Sequence, residues 1–351
     1  MKTDKNNIDL HISLDDTQVI KGIAICLMLW YHLILVPEYG YFAFQTARLG
    51  QVCVALFLFV SAYGLTVQYN KICGNPIAET FKFQAKRFVK FYTNYWVIFL
   101  IFVPIGVFVF GRHLSAAYGG GHWLKMLLTD FLGINGWRSY NRVWWFNQLI
   151  VYLYLLFPLL YFLLRKWAIP MLIFGIIVWE VNFPVIMFEA HEWLLQFMFG
   201  IVFALNVDKI SDFLNKFNKW LVLAGTIILL GLLVIQRTFN IIPFFTGTTV
   251  DAFLAPIMAV LTVLLFRNIK YINTLFKFLG KHSMNIFMIH SFFNEYWFGN
   301  FIYSFQYPIV IFAVLMAICL IISMMLEYFK KIIKLPVLIK NINQKIENAK
   351  L

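Results

Sequence analysis

The sequence predicts an all-α, polytopic membrane protein of about ten transmembrane helices with both termini in the cytoplasm. Its 351 residues are 62% hydrophobic and only 13% charged, whereas about a quarter of the residues of a soluble domain are charged. Apolar runs of membrane-spanning length recur along the chain, and lysine and arginine gather in alternate loops between them. Together these observations exclude a soluble globular protein.

Ten apolar runs are candidates for the spans, because about 20 helical residues cross the hydrocarbon core of a bilayer. Clusters of glycine, proline and polar residues separate the runs, as is typical of loops. The fifth and sixth runs are short. The predicted spans are 17–36, 49–69, 91–111, 143–164, 167–182, 192–206, 219–236, 250–267, 282–298 and 305–328.

The orientation follows from the basic residues. With a cytoplasmic N-terminus, 23 lysines and arginines fall on the cytoplasmic side and 6 on the outer side. Cytoplasmic loops of membrane proteins carry this excess, which also accounts for the net charge of +13 without a nucleic-acid partner. We expect a multi-pass protein of the cell membrane, with the bacterial cytoplasmic membrane as its location.

The domain organisation is predicted to be a single integral-membrane domain over residues 1–351. The transmembrane bundle covers about 17–328, and no repeat or linker divides it. A basic, amphipathic tail over 329–351 is expected to lie on the anionic inner leaflet. The first apolar run lacks a small-residue cleavage pattern, so we expect it to be retained.

The first span carries Lys21 and His32. Eleven helical steps place them on one face, about 16 Å apart along the axis. One interpretation is that Lys21 snorkels to the headgroups and His32 is an interfacial histidine. The other is that both line a cavity, with a cation for an anionic donor below and a proton acceptor above.

A second basic group, Lys86, Arg87 and Lys90, precedes the third span. Spacings of three and four residues put Arg87 and Lys90, or Lys86 and Lys90, on one helix face. An ordinary positive-inside anchor explains them. A cationic fork for phosphate groups at the cytoplasmic mouth explains them equally well.

Polar residues also occur in the fourth and ninth spans. Trp145 belongs to an aromatic cluster typical of a membrane interface, while Asn147 and Gln148 lie one turn inside it, where amides need partners. Bundle packing and contact with a polar substrate are both open for them. His290 is predicted near mid-membrane, either as a hydrogen-bonded structural residue or as part of a site.

Several function classes find no support. The sequence has no phosphate-binding loop, nucleophile elbow, metalloprotease motif or dinucleotide glycine pattern. Its four cysteines are scattered, and neither a disulfide framework nor a metal site is expected. The carboxylates near predicted outer ends, including Asp251 and Glu295, show no recognisable pairing. No basic soluble face indicates nucleic acid.

Four features in order resemble one family. They are a basic residue and a histidine separated by ten positions (Lys21 to His32), a phenylalanine-rich run over 50–64 with Ser61, the basic segment 86–92 followed by Tyr95 and Trp96, and Trp144 to Phe146 with Gly280 to His290. Together they resemble the membrane-integral acyltransferase family 3, which O-acylates cell-envelope and exopolysaccharide glycans. The chain departs from the family pattern at Lys21 and Lys90, where arginine is usual, and at Ala62, where glycine is usual.

The resemblance implies that an acyl group, most simply acetyl, passes from cytoplasmic acyl-CoA to a glycan or lipid-linked saccharide hydroxyl. It assigns catalysis to His32 and Lys21 and donor binding to Lys86, Arg87 and Lys90, with Trp145, Asn147, Gln148 and His290 on the acceptor side. No further cofactor or metal is expected, and a separate extracytoplasmic transferase could complete transfer. The alternative is a carrier or flippase for a lipid-linked glycan or acyl intermediate.

Overall fold

The described part of the chain is helical throughout. A computed structural model describes residues 8–72, 76–180, 192–245, 247–267 and 269–349, and these contain no strand. The predicted all-α class is therefore confirmed. The helices are α1 (Leu14–Ile34), α2 (Tyr41–Leu49), α3 (Val52–Tyr69), α4 (Pro76–Phe108), α5 (Leu114–Ala117), α6 (Trp123–Phe131), α7 (Trp145–Glu180), α8 (Leu194–Leu214), α9 (Lys219–Phe239), α10 (Gly247–Phe266), α11 (Lys270–Ser291), α12 (Gly299–Tyr303), α13 (Pro308–Ile332) and α14 (Leu335–Asn348). A π-helix over Phe292–Trp297 follows α11.

Eight helical stretches of the described residues are long and apolar enough to cross a membrane, which confirms a polytopic membrane protein. They are Leu14–Ile34, Tyr41–Tyr69, Ile77–Phe108, Arg142–Ile177, Leu194–Leu214, Lys219–Phe239, Gly247–Phe266 and Pro308–Ile332. Two differences separate this set from the ten predicted spans. The fourth and fifth predicted spans share α7, and the ninth lies largely in α11, whose first half is polar.

The helix α7 consists of two helical segments separated by a break in the backbone. Trp167 has a non-helical backbone, with φ −133° and ψ 56°. The break falls directly after Arg165 and Lys166, where the sequence predicts a cytoplasmic turn between two spans. Residues 181 and 182, at the predicted end of the fifth span, lie outside the described residues.

Several predicted boundaries need correction. The third span belongs to a longer helix that begins at Pro76, because the basic segment before it is itself helical. The last span continues to Ile332, so residues 329–332 are not part of the tail. The rest of the tail forms α14, which packs against α4. An amphipathic tail helix is thus present, and its contact with α4 is an addition to the predicted membrane-surface role.

Two compact units make up the described chain. Unit 1 consists of Met1–Asn70 and Leu159–Ser283, and its core forms where α1, α3, α8 and α10 pack. A Cβ built on Gly200 of α8 would lie 2.4 Å from the Phe59 carbonyl oxygen of α3. Only glycine allows this approach of the two helix backbones.

Unit 2 consists of Lys71–Pro158 and Met284–Leu351. Its core is aromatic. Trp144 is buried with its ring 5.3 Å from Tyr95 and 5.8 Å from Phe292. Large rings with offset or edge contacts fill the space between helices with few side chains.

Candidate functional site

In unit 1, α1 carries Lys21 and His32 as predicted. Ser13 and Asp16 form a capping box at the start of the helix, and Asp15 and Asp16 lie in its first turn. Lys21 is partly exposed in the first half of α1, and His32 is partly exposed three residues from the C-cap. The His32 ring meets the Tyr31 ring edge-on at 5.1 Å. One continuous helix therefore places a cation and an imidazole about 16 Å apart along its axis.

Two glycines bring α1 and α11 of unit 1 into backbone contact. A Cβ on Gly22 would lie 2.0 Å from the Phe276 carbonyl oxygen, and one on Gly280 would lie 1.8 Å from the Gln18 carbonyl oxygen. No side chain fits at either position. Lys21 is next to this crossing, which fixes the height of its helix against α11.

The basic residues of unit 2 lie inside α4, ten to fourteen residues after its start, because this helix begins well before the predicted third span. Lys86 forms an ion pair with Glu347 of α14. The Arg87 guanidinium lies 5.3 Å from the centre of the Phe83 ring. Lys90 is exposed. The structure thus leaves Lys90 open to solvent or lipid and gives Lys86 an acidic partner that sequence analysis did not predict.

The residues at the polar start of α7 in unit 2 differ in whether their side chains have partners in the structure. Gln148 Nε2 donates to the Ile134 carbonyl at 2.9 Å, and Trp145 stacks on Trp137 with ring centres 5.0 Å apart. Asn147 is fully buried, and neither its side-chain oxygen nor its nitrogen has a hydrogen-bond partner among the described residues. A buried amide without partners carries a desolvation cost, so Asn147 remains the strongest candidate of this group for contact with a polar ligand.

His290 lies one residue before the end of α11, where the π-helix over Phe292–Trp297 follows. Its Nδ1 is 2.8 Å from the Phe287 carbonyl oxygen, one turn earlier, and its side chain is fully buried. Nearby, Asn141 Nδ2 and Trp144 Nε1 both donate to the Met288 carbonyl, at 3.1 and 3.0 Å. Asn141 and Trp144, directly before α7, therefore contact the end of α11.

Comparison with known proteins decides the family. The profile of a family described as an acyltransferase domain matches residues 13–328, nearly the whole chain. The chain belongs to acyltransferase family 3. Searches among curated proteins and among solved structures return no significant match.

As a member of this family, the protein is a multi-pass membrane acyltransferase. The match begins at Ser13, the cap of α1, and ends in α13 after Glu327. It therefore covers every predicted site residue. Among the described residues no group of three histidine, cysteine or acidic side chains could hold a metal ion.

The acyltransferase also contains a buried ion pair that sequence analysis missed. Arg237 Nε donates to Asp251 at 2.8 Å, and its Nη2 donates to the Gln51 side-chain oxygen at 2.7 Å. The sequence showed no recognisable pairing for Asp251, and its partner in the structure is an arginine of the preceding helix. No spacing rule links the end of α9 to α10 and to the start of α3, so only the fold reveals this group.

A second cluster in unit 1 joins the start of α1 to the segment before α11. The Arg267 guanidinium donates to both carboxylate oxygens of Asp16, at 3.1 Å from Nε and 2.6 Å from Nη2. The Asp16 carboxylate hydrogen bond raises the pKa of Arg267. Beside them lies a polar cavity of about 430 Å³ that Lys270 and Thr274 also line. Asp16 and Arg267 are far apart in the sequence, so no local pattern predicts this cluster.

A buried lysine was likewise missed in unit 2. Lys330 Nζ donates to Asn94 at 2.9 Å, to Asn285 at 3.1 Å and to Glu327 at 2.7 Å. It had been assigned to the exposed tail, which is wrong, because α13 continues past it and its side chain is only 4% exposed. Asn94 in turn donates to the Lys90 carbonyl at 2.7 Å, so this network begins one turn from the predicted donor residues.

The segment between α4 and α7 contains one buried acid. Asp130 accepts hydrogen bonds from the Tyr118 hydroxyl at 2.8 Å and the Tyr140 amide at 2.6 Å. Burial raises the pKa of Asp130 to about 6, against the lowering effect of these donors. Three hydrogen-bonded segments meet on this carboxyl group, so it orders the segment that leads to Trp145 and Asn147.

Proposed function

We propose that the protein transfers an acyl group, most simply acetyl, from cytoplasmic acyl-CoA to a hydroxyl of a cell-surface or exopolysaccharide glycan at the cell membrane. Membership of the acyltransferase family supports the reaction class. The observation that carries the rest is α1, on which Lys21 and His32 lie about three turns, or 16 Å, apart along one helix. Such a separation suits a donor that arrives from one side and an acceptor that arrives from the other.

The chemistry assigned to His32 is general-base catalysis. The imidazole takes the proton of the acceptor hydroxyl as its oxygen attacks the thioester carbonyl carbon. The new carbon–oxygen ester bond forms, the carbon–sulfur bond breaks, and the coenzyme A thiolate leaves and is protonated. Histidine suits this step because it exchanges protons near neutral pH.

Donor binding is assigned to basic residues of unit 2. Arg87 offers a planar fork for a phosphate, and Lys90 offers an exposed point charge. Within unit 1, Lys21 is assigned either to a donor phosphate or to the thioester carbonyl. Lys86 would have to exchange Glu347 for a phosphate, so α14 competes with the donor at this residue.

The acceptor side is assigned to the start of α7 and the end of α11. Asn147 supplies an amide with both hydrogen-bonding groups available, and Trp145 supplies an aromatic face of the kind on which sugar rings stack. Gln148 and His290 make hydrogen bonds to backbone carbonyls in the structure, and they would shape this region. A separate extracytoplasmic transferase is the expected partner if the glycan is modified beyond the membrane.

The test is acyl incorporation from labelled acetyl-CoA into glycan by membranes that contain the protein. A general base contributes about two to four orders of magnitude to rate, so we expect His32→Ala to reduce incorporation by that factor at normal protein levels. His113→Ala, at an exposed histidine, is the matched control and should retain activity. Wild-type incorporation by His32→Ala would refute the assignment, and glycan translocation without incorporation would support a carrier.

A further inference from the structure

Unit 1 contains an apolar cavity of about 550 Å³ among α8, α9 and α10. Phe203, Phe217, Leu229 and Pro256 are among the residues that line it. Only one lining residue, Thr226, has a polar side chain, and its hydroxyl donates to the Val222 carbonyl at 2.7 Å. The cavity therefore offers an occupant hydrocarbon and no free hydrogen-bonding side chain.

Two backbone features keep this space open. Gly225 of α9 lines the cavity, and no atom lies within 4 Å of the position that its Cβ would occupy. Pro256 lies inside α10, and a proline within a helix removes a hydrogen bond and bends the axis. A larger residue at position 225 would project directly into the cavity.

The length of the cavity matches one leaflet. Along α9 the lining extends from Leu221, two residues after the helix begins, to Leu229. The eight steps from Leu221 to Leu229 span about 12 Å, and the fifteen steps from Phe199 to Leu214 of α8 span about 22 Å, at 1.5 Å per residue. One leaflet is half of the roughly 30 Å hydrocarbon core of a bilayer, so the lining is comparable in length to one leaflet.

Basic residues lie at the end of the cavity that is next to the connection between α8 and α9. Lys209 and Lys216 are exposed and Lys219 is partly exposed. Two acidic residues, Asp208 and Asp212, lie nearby. Asp208 Oδ1 is 2.9 Å from His11 Nε2, so Asp212 is the remaining carboxylate beside the three lysines. Basic residues at this level attract anionic lipid headgroups.

We propose that the cavity binds one acyl chain of an anionic phospholipid, with the phosphate at Lys216 and Lys219. Hydrocarbon lining, single-leaflet length and a cationic end are the three properties that such a lipid requires. The site uses none of the residues assigned to acyl transfer. It would be a lipid-binding site on the acyltransferase, and its test is independent of the proposed reaction.

The first test fills the cavity. The purified full chain is delipidated, mixed with phosphatidylglycerol, and examined by native mass spectrometry. We expect Gly225→Phe to lower the lipid-bound fraction at least tenfold, and Leu229→Trp to do the same if Gly225→Phe does not fold. Gly231→Phe is the matched control, because Gly231 lies on the same helix with the same open surroundings but does not line the cavity. Wild-type binding by both cavity variants would overturn the proposal.

The second test addresses the headgroup. The wild type should bind phosphatidylglycerol several-fold more tightly than phosphatidylcholine with identical chains. Lys216→Gln/Lys219→Gln should bring this ratio close to one while lipid still binds. Lys340→Gln/Lys345→Gln, which removes two exposed lysines of α14, should leave the ratio unchanged. An equal loss in both double variants, or no loss in either, would refute an anionic site at α9.

Discussion

At the scale of single residues, Arg237 and Asp251 have the largest consequence for stability. Their side chains are 6% and 0% exposed, and the guanidinium binds Gln51 as well as the carboxylate. In a low-dielectric interior, burying a charge costs less free energy when an opposite charge is paired with it than when it is alone. The pair ties α9 and α10 to the start of α3.

We predict that removing one of these charges costs more than removing both. Arg237→Gln and Asp251→Asn should each lower the free energy of unfolding by about 3–5 kcal/mol, because each leaves a buried charge without its partner. The double variant contains no charge and should lose less than either single variant. The measurement is the unfolding midpoint of the purified protein at fixed detergent concentration. Additive losses would show that the two residues do not interact.

The residues that could be predicted from sequence have local signals. Lys21 and His32 share a helix face because their separation is close to three full turns. Arg237, Asp251 and Lys330 could not be predicted in this way, since their partners come from other helices. Asn147 and Gln148 were both selected as amides one turn inside the span. Only the structure distinguishes them, since Asn147 is fully buried whereas Gln148 donates to the Ile134 carbonyl and to the Tyr152 hydroxyl.

At the scale of elements, the crossing of α1 and α11 in unit 1 depends on two glycines. Both positions place the glycine Cα against a carbonyl oxygen of the other helix. Gly22 and Gly280 both lie in segments that resemble the family, but no local sequence pattern indicates what a glycine in a helix contacts. The structure shows that these two glycines serve the packing of α1 against α11.

We predict that Gly22→Ala and Gly280→Ala each destabilise the protein, although alanine is the better helix former. The new methyl group would overlap backbone atoms at 2.0 and 1.8 Å, and overpacking of this kind costs about 1–3 kcal/mol. Gly64→Ala in α3 is the control, since nothing lies within 4 Å of its Cβ position, and it should be neutral or stabilising by about 0.5–1 kcal/mol. Thermal unfolding of the three variants measures the difference. Equal midpoints would contradict a tight crossing.

Long hydrophobic runs predicted the positions of helices well. The ends of a helix were predicted less well where polar residues continue it. The start of α4 and the end of α13 extend beyond their apolar runs because Lys86 and Lys330 find partners there. Hydropathy ends a span at the first charges, whereas a helix ends where its backbone hydrogen bonds do. For the same reason α11 was detected only in its second half.

At the scale of the whole molecule, two topologies are consistent with the helix lengths. If α7 crosses the membrane once and α11 does not cross, there are eight spans. If α7 turns back at Trp167 and α11 crosses, there are ten. Both leave the termini on one side, but they place the segment between α8 and α9, with Lys216, on opposite sides of the membrane.

We predict the ten-span topology, because Arg165 and Lys166 precede the break in α7 and because it keeps Lys209, Lys216 and Lys219 in the cytoplasm. With the four native cysteines replaced by alanine, an impermeant maleimide applied to intact cells should label Phe244→Cys and not Lys216→Cys. Lys125→Cys should be labelled and Lys340→Cys protected in either topology, so these variants calibrate the assay. Labelling of Lys216→Cys with protection of Phe244→Cys would establish eight spans. The lysines at α9 would then face the outer leaflet. Four further basic residues between α10 and α13, Arg267, Lys270, Lys277 and Lys281, would also lie on the outer side, so the excess of basic residues on the cytoplasmic side would shrink.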